Sequence, residues 1–143
     1  MWAGARQAHA EQLPNVAFLR TSIEWLPSFF AAGEVDELWI TFPDPQMKKA
    51  SKRLTSTFFM QRYLRVMRSG GLINLKTDSP IMYEFTLHEV IEKQGLPLLY
   101  ASDDLYANDD NLEVKTIRTF YEQMWLDKGL TIKYLRFKIN AEL

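Results

Sequence analysis

Apolar and polar positions change period repeatedly along this chain, and the changes mark its elements. Residues 1–12 predict a helix, because Ala3, Ala5, Ala8 and Ala10 are strong helix formers and Pro14 closes the segment. Asn15–Arg20, with Val16, Phe18 and Leu19, predicts a short strand. Ser22–Phe30 predicts a helix capped by Thr21 or Ser22, with Ile23, Leu26 and Phe30 on one face and Pro27 inside it. Gly33 ends that segment. Leu38, Trp39, Ile40 and Phe42 then form an apolar run of strand formers.

Thr55–Arg68 carries the clearest helical stripe, Phe59, Tyr63 and Val66 beside Met60, Leu64 and Met67, with Gly70 as its left-handed end. Leu72–Thr77 predicts a strand ending at Asp78. Ser79-Pro80 reads as a cap followed by proline at the first helical position. The helix it opens, residues 80–94, is expected to pack through Ile81, Phe85, His88 and Ile91. Leu96–Ser102 predicts a strand, Asp103–Asn111 an acidic and mobile loop, and Thr116–Asp127 a loop and short helix. Gly129 turns the chain into a last strand, Leu130–Ile139, expected to pair antiparallel with the preceding one. Strands alternating with helices imply an α/β fold with a mainly parallel sheet.

At 143 residues the chain is read as a single domain, 1–143, with 47% hydrophobic and 24% charged residues, an ordinary globular balance. No apolar run approaches a membrane span. The N-terminus lacks a basic region followed by an apolar stretch, so no secretory leader is expected and a cytoplasmic location is. There are no cysteines, which excludes disulfides and thiolate metal sites. His9 and His88 lack ligand spacing, so no structural metal is expected.

The net charge of −1 hides a segregation. Between Pro45 and Ser69 there is no acid, yet there are Lys48, Lys49, Lys52, Arg53, Arg62, Arg65 and Arg68. The acids gather elsewhere, notably at Asp103, Asp104, Asp109, Asp110 and Glu113. A local positive field of this kind suits an anionic partner. The field begins beside Phe42-Pro43-Asp44-Pro45. Neither proline can donate to a ladder, and each drives its predecessor into extended backbone. Asp44 is therefore held rigidly just past the carboxyl end of a strand, the edge where open α/β sheets bind ligands. Asp78 ends the next strand, and Glu122 is a third acid. Paired carboxylates serve acid–base work, a metal, or a base's donor edge.

Phe-Pro-Asp-Pro, the lysines, Lys52-Arg53-Leu54, the helix ending in Gly70-Gly71, the strand ending Lys76-Thr77-Asp78, and Thr119-Phe120-Tyr121-Glu122 together resemble the bacterial tRNA (guanine-N7)-methyltransferases from about Asn15 onward. The resemblance implies a Rossmann-like S-adenosyl-L-methionine-dependent methyltransferase fold, a mostly parallel sheet with an antiparallel late strand, and transfer of a methyl group to N7 of a guanine in tRNA. It implies a catalytic Asp44 that also lies beside the methyl donor. It implies substrate contacts at Lys48, Asp78 and Thr119–Glu122. The basic run itself, Lys49, Lys52 and Arg53 beside Lys48, is expected to lie along the phosphates of an RNA backbone. Ser22 falls near a donor-contacting aspartate of the family. Gln46 stands where the family has Trp, Phe120 where it has Lys, and the segment Lys48–Arg53 is shorter than usual and lacks the family's histidines.

Guanine accounts for acids inside a basic rim. Its N1–H and N2 amine form a donor pair that a carboxylate accepts. Its N7 has a free lone pair and no proton, so its methylation requires no general base. The cationic product is stabilised by a nearby carboxylate. None of the six glycines forms a glycine-rich donor loop. The resemblance implies that the chain starts after the first two strands of its fold, so a fragment, inactive alone and prone to self-association through unpaired sheet edges, is expected. Two other classes compete: a non-catalytic RNA-binding module using residues 48–53, and a cofactor-free hydrolase or metal enzyme built on Asp44 and Asp78.

Overall fold

The computed structural model describes residues 1–108, 110 and 112–140. Among the described residues four strands, β1 (Val35–Thr41), β2 (Met67–Thr77), β3 (Leu98–Ser102) and β4 (Lys133–Lys138), form one sheet in the order β1-β2-β4-β3. β1 and β2 are parallel, and β4 runs antiparallel to both β2 and β3. Three strands thus share a direction and the last opposes them, as the sequence predicts. The helices are α1 (Trp2–Ala10), α2 (Thr57–Val66), α3 (Pro80–Glu84) and α4 (Phe120–Asp127). α3 runs on as a π-helical segment over Phe85–Glu92.

The period-two alternation of the strands divides the sheet into two unlike faces. Leu38, Ile40, Ile73, Leu75, Leu135 and Phe137 turn toward α2 and the α3 segment. There they join Phe59, Met60, Tyr63, Val66, Met82 and Ile91 in the main core. The other face is polar and aromatic. Asn74 donates to Glu37 Oε1 at 2.6 Å and accepts from the Tyr134 hydroxyl at 2.7 Å, and Trp39 stacks on Tyr134 at 6.1 Å. A smaller core of Leu105, Ile132 and Tyr134 lies beneath Trp125 and Leu126 of α4.

Several expectations change. Asn15–Arg20 pairs with no strand; Val16, Phe18 and Leu19 are about half exposed. Ser22–Phe30 forms only a 3₁₀ turn, Ile23–Ser28, because Pro27 removes a donor. Gly70 is not the end of α2. The helix passes directly into β2 at Met67, and Gly70 lies in a bulge where β2 gains residues over β1. Its φ of +71° suits glycine, and a Cβ on Gly71 would stand 3.0 Å from the Arg68 carbonyl. Ile81 is 40% exposed and His88 is exposed too. The buried face is Met82, Tyr83, Thr86, Val90 and Ile91, with Phe85 packed against the core, so the face is turned away from Ile81 and His88, which lie toward solvent. The acidic loop is pinned by fully buried Leu105, whose N–H donates to Ile132 O at 2.7 Å. Asp109 and Asn111 of that loop lie outside the described residues.

Candidate functional site

Phe42 closes the β1–β2 ladder by donating its N–H to Lys76 O at 2.8 Å, and its φ is +50°, left-handed rather than the extended backbone expected before Pro43, because the chain turns sharply as it leaves the sheet. A bulky side chain at positive φ is a true outlier, of the kind that functional loops hold by surrounding structure. Pro43, Asp44 and Pro45 follow. Asp44 Oδ1 accepts from the Gln46 N–H at 2.9 Å, forming an Asx turn, and Gln46 is also left-handed at +47°. Arg53 donates from Nε to Pro45 O at 2.9 Å while its guanidinium lies 4.5 Å over Phe85. The loop is thus fixed at both ends, with the Asp44 carboxylate exposed on it.

Because β1 and β2 are hydrogen-bonded neighbours in parallel, Asp44 and Asp78 leave the sheet at the same edge. The register pairs Thr41 with Lys76, so the two acids follow paired positions by three and two residues. Asp78 is half-buried. Beyond it, Ser79 Oγ accepts from Met82 N at 3.3 Å, capping α3 as the Ser-Pro pair predicts. The exposed Lys48, Lys49 and Lys52 stand on the loop between β1 and α2. Arg53 departs from that group: it is only 9% exposed and holds the loop, so it is not available to an RNA backbone.

Thr119 caps α4. Its side chain accepts from Glu122 N at 3.2 Å, and Glu122 Oε2 accepts from Thr119 N at 3.4 Å, a complete capping box. Phe120 and Tyr121 project outward, 80% and 60% exposed, with rings 5.9 Å apart. Glu122 differs from the substrate-facing expectation. It is fully buried, 2.7 Å from Lys76 Nζ and 2.5 Å from the Tyr106 hydroxyl. Burial and that hydrogen bond push the Tyr106 hydroxyl up to about 12. Lys76, Tyr106 and the Glu37–Asn74–Tyr134 network are polar features that the sequence reading passed over. The available signal was the alternation of Asn74 and Lys76 with Ile73 and Leu75, which requires polar partners on one sheet face.

A cleft of about 680 Å³ opens on that face, lined by Trp39, Thr41, Lys76, Thr119, Glu122 and Tyr134 among others. Asp44 and Asp78 stand outside its lining, at the strand ends. Ser22 is exposed at the start of the 3₁₀ turn, and its side chain makes no capping bond. Among the described residues no cluster of His, Asp or Glu could hold a metal ion, and no helix is long and apolar enough to cross a membrane.

A family model described as "Putative methyltransferase" matches residues 3–135. A tRNA (guanine-N(7)-)-methyltransferase of Bacteroides fragilis is 52% identical over 142 residues, covering 99% of this chain and 56% of that protein. Its counterpart in Porphyromonas gingivalis is 56% identical over 142 residues, covering 98% and 57%. The chain thus spans just over half the length of these relatives. In the solved SAM-dependent methyltransferase of Aquifex aeolicus, 94% of this chain superposes on 61% of that one with a TM-score of 0.56 at 12% identity, a likeness of fold.

Proposed function

The chain belongs to the methyltransferase family whose model it matches over residues 3–135, and from that premise we propose that it carries the base- and RNA-addressing part of an S-adenosyl-L-methionine-dependent tRNA (guanine-N7)-methyltransferase. The observation that carries this reading is the parallel pairing of β1 with β2, which brings Asp44 and Asp78 to one sheet edge beside three exposed lysines. Asp78 is assigned to the N1–H and N2 donors of guanine. Asp44, rigid on its loop, stabilises the positive charge that develops on the base as N7 is alkylated. Lys48, Lys49 and Lys52 take phosphates. Phe120 and Tyr121 offer rings on which neighbouring bases can stack.

S-adenosyl-L-methionine supplies the methyl group when bound. The Asp44 carboxylate, exposed on its loop, is the one group of this chain assigned to the donor's side of the site. No glycine-rich loop follows β1 or β2, so the donor's adenosine cradle is not assigned to these residues. The 143 residues by themselves are therefore expected to bind tRNA without methylating it. β1 has no strand on its outer side among the described residues, and self-association through that edge is expected of the isolated chain, visible by sedimentation velocity. A tRNA substrate is consistent with a cytoplasmic location.

Inosine lacks the N2 amine of guanine, so tRNA carrying inosine at the unpaired guanine positions tests the assignment of Asp78. Wild type should bind the inosine form more weakly by about 1–3 kcal/mol, and Asp78→Asn should not distinguish the two. Equal binding of both by wild type contradicts the reading.

A further inference from the structure

We propose that Lys76 is the positioning residue of this site, fixing α4 against the carboxyl end of β2. The inference rests on the reading above, in which Asp78 and the start of α4 address one substrate. Lys76 Nζ donates to Val114 O at 3.0 Å and Ile117 O at 3.3 Å, and pairs with Glu122 Oε1 at 2.7 Å. An ammonium has three donors, and all three are engaged. The two side chains are 3% and 0% exposed. Glu122 is meanwhile the acid of the α4 capping box and the acceptor of the Tyr106 hydroxyl. One buried cation therefore joins β2, the 112–117 loop, α4 and the segment around Tyr106.

Its place in the chain gives this junction a use. Lys76 lies two residues before Asp78, and Glu122 directly follows Phe120 and Tyr121. Locking Lys76 to Glu122 holds the acid and the aromatic pair in one relative position. A buried ion pair adds little stability over apolar residues of the same shape, but it penalises alternatives. If α4 slid by one turn, an ammonium and a carboxylate would be left buried without partners, and that cost enforces a single register. Lys76 touches no substrate itself in this account.

The test compares the full chain with K76M, K76R and K76M/E122M, reading hydrogen exchange by segment, thermal stability and affinity for unmodified tRNA. In K76M, exchange across 112–127 should accelerate by roughly tenfold or more while β1 and α2 keep their protection. tRNA affinity should fall, and K76R should restore it. In K76M/E122M, with no buried charge left unpaired, stability should recover while the weakened affinity persists, a separation that a purely structural role does not produce. Unchanged exchange across 112–127 in K76M overturns the proposal. If K76M does not fold, the double variant decides: wild-type protection of α4 together with wild-type affinity overturns it. A wild type that binds no tRNA contradicts the functional reading instead, and the exchange measurement still decides what Lys76 does.

Discussion

Arg53 shows how a residue can look like one thing in sequence and be another in the fold. It ends a basic run, and in a linear reading it is indistinguishable from Lys48, Lys49 and Lys52. Its partner is the Pro45 carbonyl, eight positions back, and nothing in hydrophobic periodicity encodes the path of that loop. Arg53→Ala should lower stability by about 1–2 kcal/mol in urea titration, from the lost hydrogen bond and the lost contact over Phe85, and leave the salt dependence of RNA binding unchanged. Arg53→Lys should recover little, since an ammonium cannot reproduce the planar stack. The apolar stripe of residues 80–94 places His88 on a packed face, yet it lies between Glu92 at 2.7 Å and Glu84 at 2.9 Å on the helix surface. The hydrogen bond to Glu92, supported by Glu84, raises its pKa above the ordinary value. Its stabilising effect is therefore fully present below the unfolded-state value of about 6.5 and lost as pH rises through the raised folded value. Melting temperatures of wild type and His88→Gln should converge as pH rises past neutral; a constant gap would show that the pair is not formed.

At the scale of elements, α2 was legible because its stripe has the 3.6-residue period and its buried side, Phe59, Met60, Tyr63 and Val66, follows that period. The α3 segment was legible as a helix but only partly in its face: Phe85 and Ile91 pack inward as expected, while Met82, Thr86 and Val90, one helical face at i, i+4 and i+8, are buried in place of Ile81 and His88, with Thr86 hydrogen-bonded to Thr55 at 2.7 Å. Thr119 and Glu122 stand out in the sequence only as part of a substrate-contacting motif; the structure makes them the capping box of α4, and the burial of Glu122 depends on Lys76, 46 positions away in sequence, coming to meet it. The lysine loop is the element whose function is most directly measurable. If Lys48 and Lys52 contact phosphates, replacing both by Ala should flatten the log–log salt slope of tRNA binding by about 2 units. An unchanged slope would make the loop an ordinary solvated surface.

At the scale of the molecule, strand directions were readable from the alternation of elements and from the short connection after Gly129. The insertion of β4 between β2 and β3 was not, because strand order is decided by pairing across the sheet. That order leaves the carboxyl ends of β1 and β2 side by side, and the proposed chemistry depends on this arrangement. Asn15–Arg20 failed as a strand for the same kind of reason: apolar residues make a strand only where another backbone satisfies its hydrogen bonds. The most direct measurement of the central claim places these residues in a complete enzyme. In the Bacteroides fragilis relative, the matched 142 residues would be exchanged for those of this chain, and methyl transfer from labelled S-adenosyl-L-methionine to unmodified tRNA followed with the modified atom identified. The account predicts methylation at guanine N7, slowed by on the order of 10²-fold or more in Asp44→Asn with tRNA binding retained. A folded chimera that binds tRNA and donor yet leaves N7 unmethylated, or an Asn variant that turns over at the unaltered rate, would contradict it.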